Sequence, residues 1–280
     1  MLSALIIYER TEVERNRRFI NYWLETAAEK QVDLRLVTTD QLSYGIWDNK
    51  PFLLLDNAPV HCDFAVMRAK KPLLGYHLER MGIPVFNNAR VGEILNDKRK
   101  THALLHEHFP MMPTAFIEDD QKSPFPFPVV VKSAGGCGGR EVKLCADEQS
   151  YRAAIAQFNY SAVVQPLCDT PGRDVRVYML GKDILQTMLR YSVNDDFRAN
   201  FGIHRSAKPI DIPDDIRRMA LEAAEIFDFG LVGVDFIFHN GRALFNEAED
   251  VVGTRMLYQY TDIDIVPLYM DFILKKIGRA

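Results

Sequence analysis

The chain is short of cysteine, with only 4 in 280 residues. Cys62, Cys137, Cys145 and Cys168 include no Cys-x-x-Cys pair. That spacing excludes a thiolate zinc site and a disulfide framework, and it leaves free thiols in a reducing cytosol. A basic excess is missing too. Lys and Arg number 34 against 38 Asp and Glu, for a net charge of -4, which argues against a nucleic-acid partner. The one N-terminal apolar run, "LSALII", is too short to span a bilayer, so no membrane partner is expected. It also lacks the basic start and small-residue cleavage pattern of a signal peptide. Repeats and low-complexity segments are absent. What remains is an ordinary globular composition, 48% hydrophobic and 26% charged, long enough for two or three linked subdomains.

The first third has a β-α-β rhythm. Strands are expected at residues 2–7, 32–38, 62–68 and 84–87. A helix carries Phe19, Ile20, Trp23, Leu24 and Ala27 at helical spacing, and another starts at Pro72. This gives a small parallel sheet with helices on its faces, ending near residue 90. Residues 87–109 read as helical with a break at Asn96 and Asp97. A strand, a glycine-rich loop and another strand follow over 124–145, then a helix and the strand "SAVVQPLC". Residues 174–192 alternate and turn at Gly181 and Lys182, as an antiparallel hairpin does. An amphipathic helix opens at Asp211 or Pro213. A hairpin centred on Asn240-Gly241 comes next, and residues 266–278 close as a helix. The expectation is an α/β head over 1–90, a central α+β unit over 91–170 and a C-terminal α+β unit over 171–280.

Three stretches carry chemistry. "VVVKSAGGCGGREV" delivers Lys132 on a strand and then Gly135, Gly136, Gly138 and Gly139. Such glycines let backbone N–H groups turn toward one point and cradle phosphate oxygens. A helix should follow in a Rossmann fingerprint and GK[ST] in a Walker A loop, and neither is here. Alone, the loop reads equally as a flexible hairpin with an exposed lysine. In "VGVDFIFHNGRALFNEAED", Asp235 falls opposite position 246 or 247, and Glu247 and Glu249 share one strand face. Three carboxylates would converge, and an oxygen-only donor set suits Mg2+ or Mn2+. A solvated acidic hairpin is the alternative, opposed by the apolar strands around it. "DDFRANFGIHRSAKP" holds Arg198, Asn200, His204 and Arg205 without regular period. Arginine forks there suit phosphate or carboxylate, while a solvated loop is the plain reading. Asp174 and Arg176 share a strand face, where an ion pair is the structural alternative.

The order of these parts resembles the ATP-grasp superfamily, most closely its RimK-type carboxylate–amine ligases. The resemblance rests on "NDKRKTHALL", "FPVVVKSAGGCGGREV", "VVQPLCDTPGRDVRVYMLG", "FRANFGIHR", "GLVGVDFIF" and "NEAEDVVG", and it covers residues 90–280. It implies an α/β head followed by an α+β body whose two subdomains grip ATP. By that resemblance Lys98 and Lys132 contact ATP phosphates. Gln165, Pro166 and Leu167 line the adenine pocket, and Asp174 reaches the ribose or its neighbourhood. Arg198, Asn200 and Arg205 face the triphosphate and the substrate, and Asp235, Glu247 and Glu249 bind the metal. The implied partners are small-molecule or peptide carboxylates and amines, and dimers are common in the family. The implied reaction joins a carboxylate to an amine through an acyl phosphate, in the cytoplasm. An ATP-grasp kinase and a non-catalytic ATP-binding module are the rival readings. The chain departs from the family in having Glu247-Ala-Glu249 where Glu-x-Asn is usual. It also keeps Gly253 without the usual proline, and "FGIHR" spaces the second basic residue further along.

Overall fold

A computed structural model describes residues 1–136, 141–193, 196–199 and 205–279. The N-terminal unit begins with β1 (Leu2–Tyr8) and β2 (Val32–Thr38) and continues with β3 (Leu42–Trp47), β4 (Lys50–Leu55) and β5 (Ala58–Pro59). It ends with β6 (Phe64–Met67) and β7 (Val85–Phe86). A parallel sheet runs in the order β2-β1-β6-β7. The helix Arg17–Glu29 covers it, burying Ile20, Trp23 and Ala27 at helical spacing. These strands and helices fall where periodicity places them. The small antiparallel sheet β3-β4-β5 is not expected from the sequence. Leu42 is buried while Ile46 and Trp47 are exposed, so no clean alternation marks its first strand. Its turn uses Asp48 and Asn49, both at positive φ, in place of the stronger Asn-Gly signal.

Two further antiparallel sheets follow. One contains β8 (Ala115–Ile117), β9 (Val129–Ser133), β10 (Val142–Cys145) and β11 (Ala162–Pro166), in the order β10-β9-β11-β8. The helix Glu148–Gln157 packs on it through Tyr151, Ala154 and Ile155. The other contains β12 (Arg173–Leu180), β13 (Asp183–Ser192), β14 (Arg205–Pro209), β15 (Leu231–His239) and β16 (Arg242–Glu249), in the order β14-β13-β12-β15-β16. Between the N-terminal unit and these sheets, one helix ends at Leu95 and the next starts at Lys98. Asp97 causes the break, because its side chain caps the Arg99 N–H at 2.9 Å.

The last sheet has two different faces. Val175, Val177 and Met179 of β12 pack with Val232, Val234 and Phe236 of β15 beneath the helix Asp214–Ile226. On the opposite face β12 begins with Asp174 and Arg176 and ends with Tyr178 and Leu180. The apolar end joins the core of the N-terminal unit, together with Trp23, Ile20 and the final helix Ile265–Lys276. The ionic end floors the site described next.

Candidate active site

Strand register builds an arginine–carboxylate ladder on that floor. On β12, Asp174 lies opposite Arg190 of β13, and Arg176 opposite Asp235 of β15. Alternation keeps these on one face. Glu247 joins it opposite Asp235, and Glu249 opposite Gly233. Arg190 grips Asp174 through Nε at 2.6 Å and Nη2 at 2.5 Å, and its Nη2 also donates to Asp235 Oδ2 at 2.7 Å. Arg176 grips Asp235 at 2.7 and 2.6 Å, and its Nη2 reaches Glu249 at 2.8 Å. Asp174, Arg176, Arg190 and Asp235 are all buried. Gly233 makes the crossing possible, since a Cβ there would stand 3.2 Å from Arg176 Nε and 2.6 Å from a Val252 methyl. Burial alone would raise the Asp235 carboxyl, but Arg176 and Arg190 outweigh it and hold it at about 2.

Asp235, Glu247 and Glu249, expected to converge on one cation, stand on one face of the hairpin, with Asp235 and Glu249 bridged by Arg176. Among the described residues, no three His, Cys, Asp or Glu side chains are grouped to hold a metal. Asp235 commits both oxygens to guanidinium, because β12 brings two arginines that the hairpin alone does not reveal. Asp174 lines the cleft with both oxygens likewise held. Glu247 and Glu249 each commit one oxygen, to Lys98 at 3.3 Å and to Arg176. The donors left are hard oxygens, which fit Mg2+ or Mn2+ with phosphate oxygens completing the shell.

Opposite the ladder stand two lysines, Lys98 with two partners and Lys132 with one hydrogen-bond acceptor. Lys98, the first residue of its helix, donates to the Gly136 carbonyl at 2.6 Å. Lys132, from β9, donates to Asn246 Oδ1 at 2.7 Å. Burial lowers the Lys132 ammonium from its ordinary value, with the Glu247 carboxylate opposing. Asn246 reaches this place through a β-bulge. Asp235 pairs with Glu247 and the next residue, Phe236, with Phe245, so Asn246 is the extra residue. Phe245 and Ala248 therefore share the apolar face, while Asn246 and Glu247 both line the cleft. Beneath the bulge, His102 meets the Asn246 carbonyl at 3.0 Å. Burial, helped by Lys132, pulls this imidazole down to about 4. It is therefore neutral near pH 7, with Nε2–H the donor.

Gln165, Pro166 and Leu167 line the far end of the cleft with Met112, Val130 and Ile237. The Gln165 amide donates to Thr114 Oγ1 at 2.8 Å. Arg198 also lines it, steadied by Asp196 at 3.0 and 2.9 Å. Gly135 and Gly136 form the described base of the glycine loop. Gly138, Gly139, Asn200 and His204 lie outside the described residues, and Arg205 sits in β14 opposite Ser192. The narrow cleft, about 90 Å3, shares Lys98, Gly136, Glu141 and Glu247 with a groove of about 1700 Å3. That groove is lined by residues of the N-terminal unit and by residues that follow β16, among them Asp250, Val252 and Thr254. Sequence reasoning missed Asn246, His102 and Arg190. Of these only His102 left a trace, one helical turn after Lys98.

A parallel α/β unit ahead of two antiparallel sheets, with lysines facing acids across the gap, defines an ATP-grasp fold. Residues 96–273 match the model of the RimK-like ATP-grasp domain, more than half of the chain, and the chain belongs to that family. Its relatives include the Haemophilus influenzae "Probable alpha-L-glutamate ligase", 27% identical over 239 residues, covering 81% of this chain and 78% of the relative. The Danio rerio beta-citrylglutamate synthase B is 25% identical over 275 residues, covering 89% and 67%. Among solved structures, the D-alanine–D-alanine ligase of Bacillus anthracis with ATP aligns over 100% of this chain and 98% of its own. Its TM-score is 0.73 at 15% identity, which speaks to the fold. The protein is an enzyme of the ATP-grasp ligase type.

Proposed function

We propose that this enzyme joins a carboxylate to an amine at the expense of ATP, through an acyl phosphate, releasing ADP and phosphate. One observation carries the reading. The Lys98 and Lys132 ammoniums and the Asn246 and Glu247 oxygens line one narrow cleft, and Lys98 and Glu247 also line the large groove beside it. Nucleotide phosphates fit the first and an acid with its amine partner the second. The substrates are small-molecule or peptide acids and amines, in keeping with the names of the relatives above.

The carboxylate oxygen attacks the γ-phosphorus, the bond to the bridging oxygen breaks, and ADP leaves. Lys98 and Lys132 offset charge on the transferring group. Burial disfavours the Lys132 charge until a phosphate oxygen arrives, so phosphate is a stabilising partner for it. Next, the amine lone pair attacks the acyl carbon, the C–O bond to phosphate breaks, and phosphate departs with the electron pair. The amine proton passes to solvent. Glu247, Glu249 and Asn246 would hold Mg2+ or Mn2+, with Asp235 orienting Glu249 through Arg176. Such an ion supplies charge neutralisation at the phosphate oxygens. Arg198 faces the same end. The apolar walls beside Gln165, Pro166 and Leu167 suit an adenine ring. Among the described residues no helix is long and apolar enough to cross a membrane. The free thiols of Cys62, Cys145 and Cys168 support a cytoplasmic setting.

The test is ADP release over a panel of acids and amines, with and without Mg2+, for wild type and Lys132→Met. The variant should lose about 100-fold or more in kcat/KM while keeping its circular dichroism spectrum. Full activity in Lys132→Met overturns the assignment. Release that ignores the amine points instead to a kinase.

A further inference from the structure

The base of the glycine loop is held from two directions. Lys98 binds the Gly136 carbonyl at 2.6 Å, and Lys70, from the N-terminal unit, binds the preceding Gly135 carbonyl at 2.8 Å. Lys70 follows β6 at the carboxyl end of the parallel sheet, where open α/β sheets place ligands. Two residues earlier, Arg68 donates from Nη2 to the Val252 carbonyl at 3.1 Å, on the opposite wall of the groove. A three-residue stretch of the N-terminal unit thus touches both the base of the glycine loop and the segment that follows β16. Gly135, Gly136, Lys70, Arg68 and Val252 all line the groove, and Gly136 also lines the cleft. The loop base is a wall common to both chambers.

We propose that Lys70 is a positioning residue that couples ATP consumption to amide formation. The proposal rests on the ligase reading above. Lys70 fixes the shared wall where acyl phosphate forms, and Arg68 fixes the facing wall, so the amine and not water meets the acyl carbon. When the wall loosens, a water oxygen attacks the acyl phosphate, the bond to phosphate breaks, and the original carboxylate and free phosphate return. ADP then appears without amide.

The measurement is amide formed per ADP released, by chromatography, in wild type, Lys70→Ala, Lys70→Arg and the neighbouring control Lys71→Ala. Wild type and Lys71→Ala should give close to one amide per ADP. Lys70→Ala should fall to about half or below, with amide turnover down about fivefold, the size of one ordinary hydrogen bond lost at an exposed position. Lys70→Arg should restore the ratio. Thermal melting accompanies each variant, because simple destabilisation lowers both products together and leaves the ratio alone. An unchanged ratio in Lys70→Ala overturns the coupling role while the ligase reading stands. If wild type itself forms no amide with any acid–amine pair, the ligase reading fails first.

Discussion

The two sides of the cleft hold positive charge in opposite ways. On the floor, Arg176 and Arg190 are each bound to two carboxylates, in planar forks fixed by strand register. On the roof, Lys132 bonds a side-chain amide, and Lys98 bonds a loop carbonyl and pairs more loosely with Glu247 at 3.3 Å. Guanidinium clamped between carboxylates builds; ammonium with bonding capacity in reserve is ready for an arriving phosphate. Family membership alone does not separate these roles.

The contrast breaks most sharply at Arg190. Arg190→Met leaves Asp174 buried without its donor and strips one of the bonds to Asp235, and about 3–5 kcal/mol of stability should be lost by denaturant titration. Lys132→Met removes the same charge from the roof. It should leave stability nearly intact while destroying turnover, and equal melting losses in the two variants would erase the distinction. Acid titration sharpens the comparison next. His102 is held neutral with a folded pKa of about 4, below the roughly 6.5 of an unfolded histidine. The unfolded chain alone binds that proton between these values, so stability falls as pH drops through the window, by up to about 3 kcal/mol. His102→Gln should flatten this slope. Asp235, held at about 2, keeps its contribution above roughly pH 4 and loses it only as pH falls toward 2. The smallest effect belongs to the surface. Lys182 and Glu225 pair at 2.6 Å but are 68% and 66% exposed, and Lys182→Ala should change stability by less than about 0.5 kcal/mol.

Local features were legible in the sequence. The Asn240-Gly241 turn, the break at Asp97 and the turn at Gly181 follow from backbone preference and capping, which short stretches encode. Nonlocal ones were not. Placing Asp235 beside Arg176 and Arg190 requires knowing that β12 lies between β13 and β15, and the sequence shows two hairpins without their mutual order. The bulge at Asn246 is a single inserted residue, and reading the strand as regular turned Asn246 away from the cleft. The three acids were read from one hairpin, and the arginines that pair with Asp235 come from the neighbouring strands. Lys132 was legible from its strand and glycine loop and Lys98 only from the family resemblance, and the structure supplies their partners.

Trp23 of the N-terminal helix meets Tyr269 of the final helix edge-on, with ring centroids 5.6 Å apart, inside a core that both ends of the chain build. Anyone trading the first ninety residues between homologues as a specificity cassette inherits that seam. Without its matched closing helix, a transplanted head would present indole and isoleucine to water, so head and tail have to travel as one module.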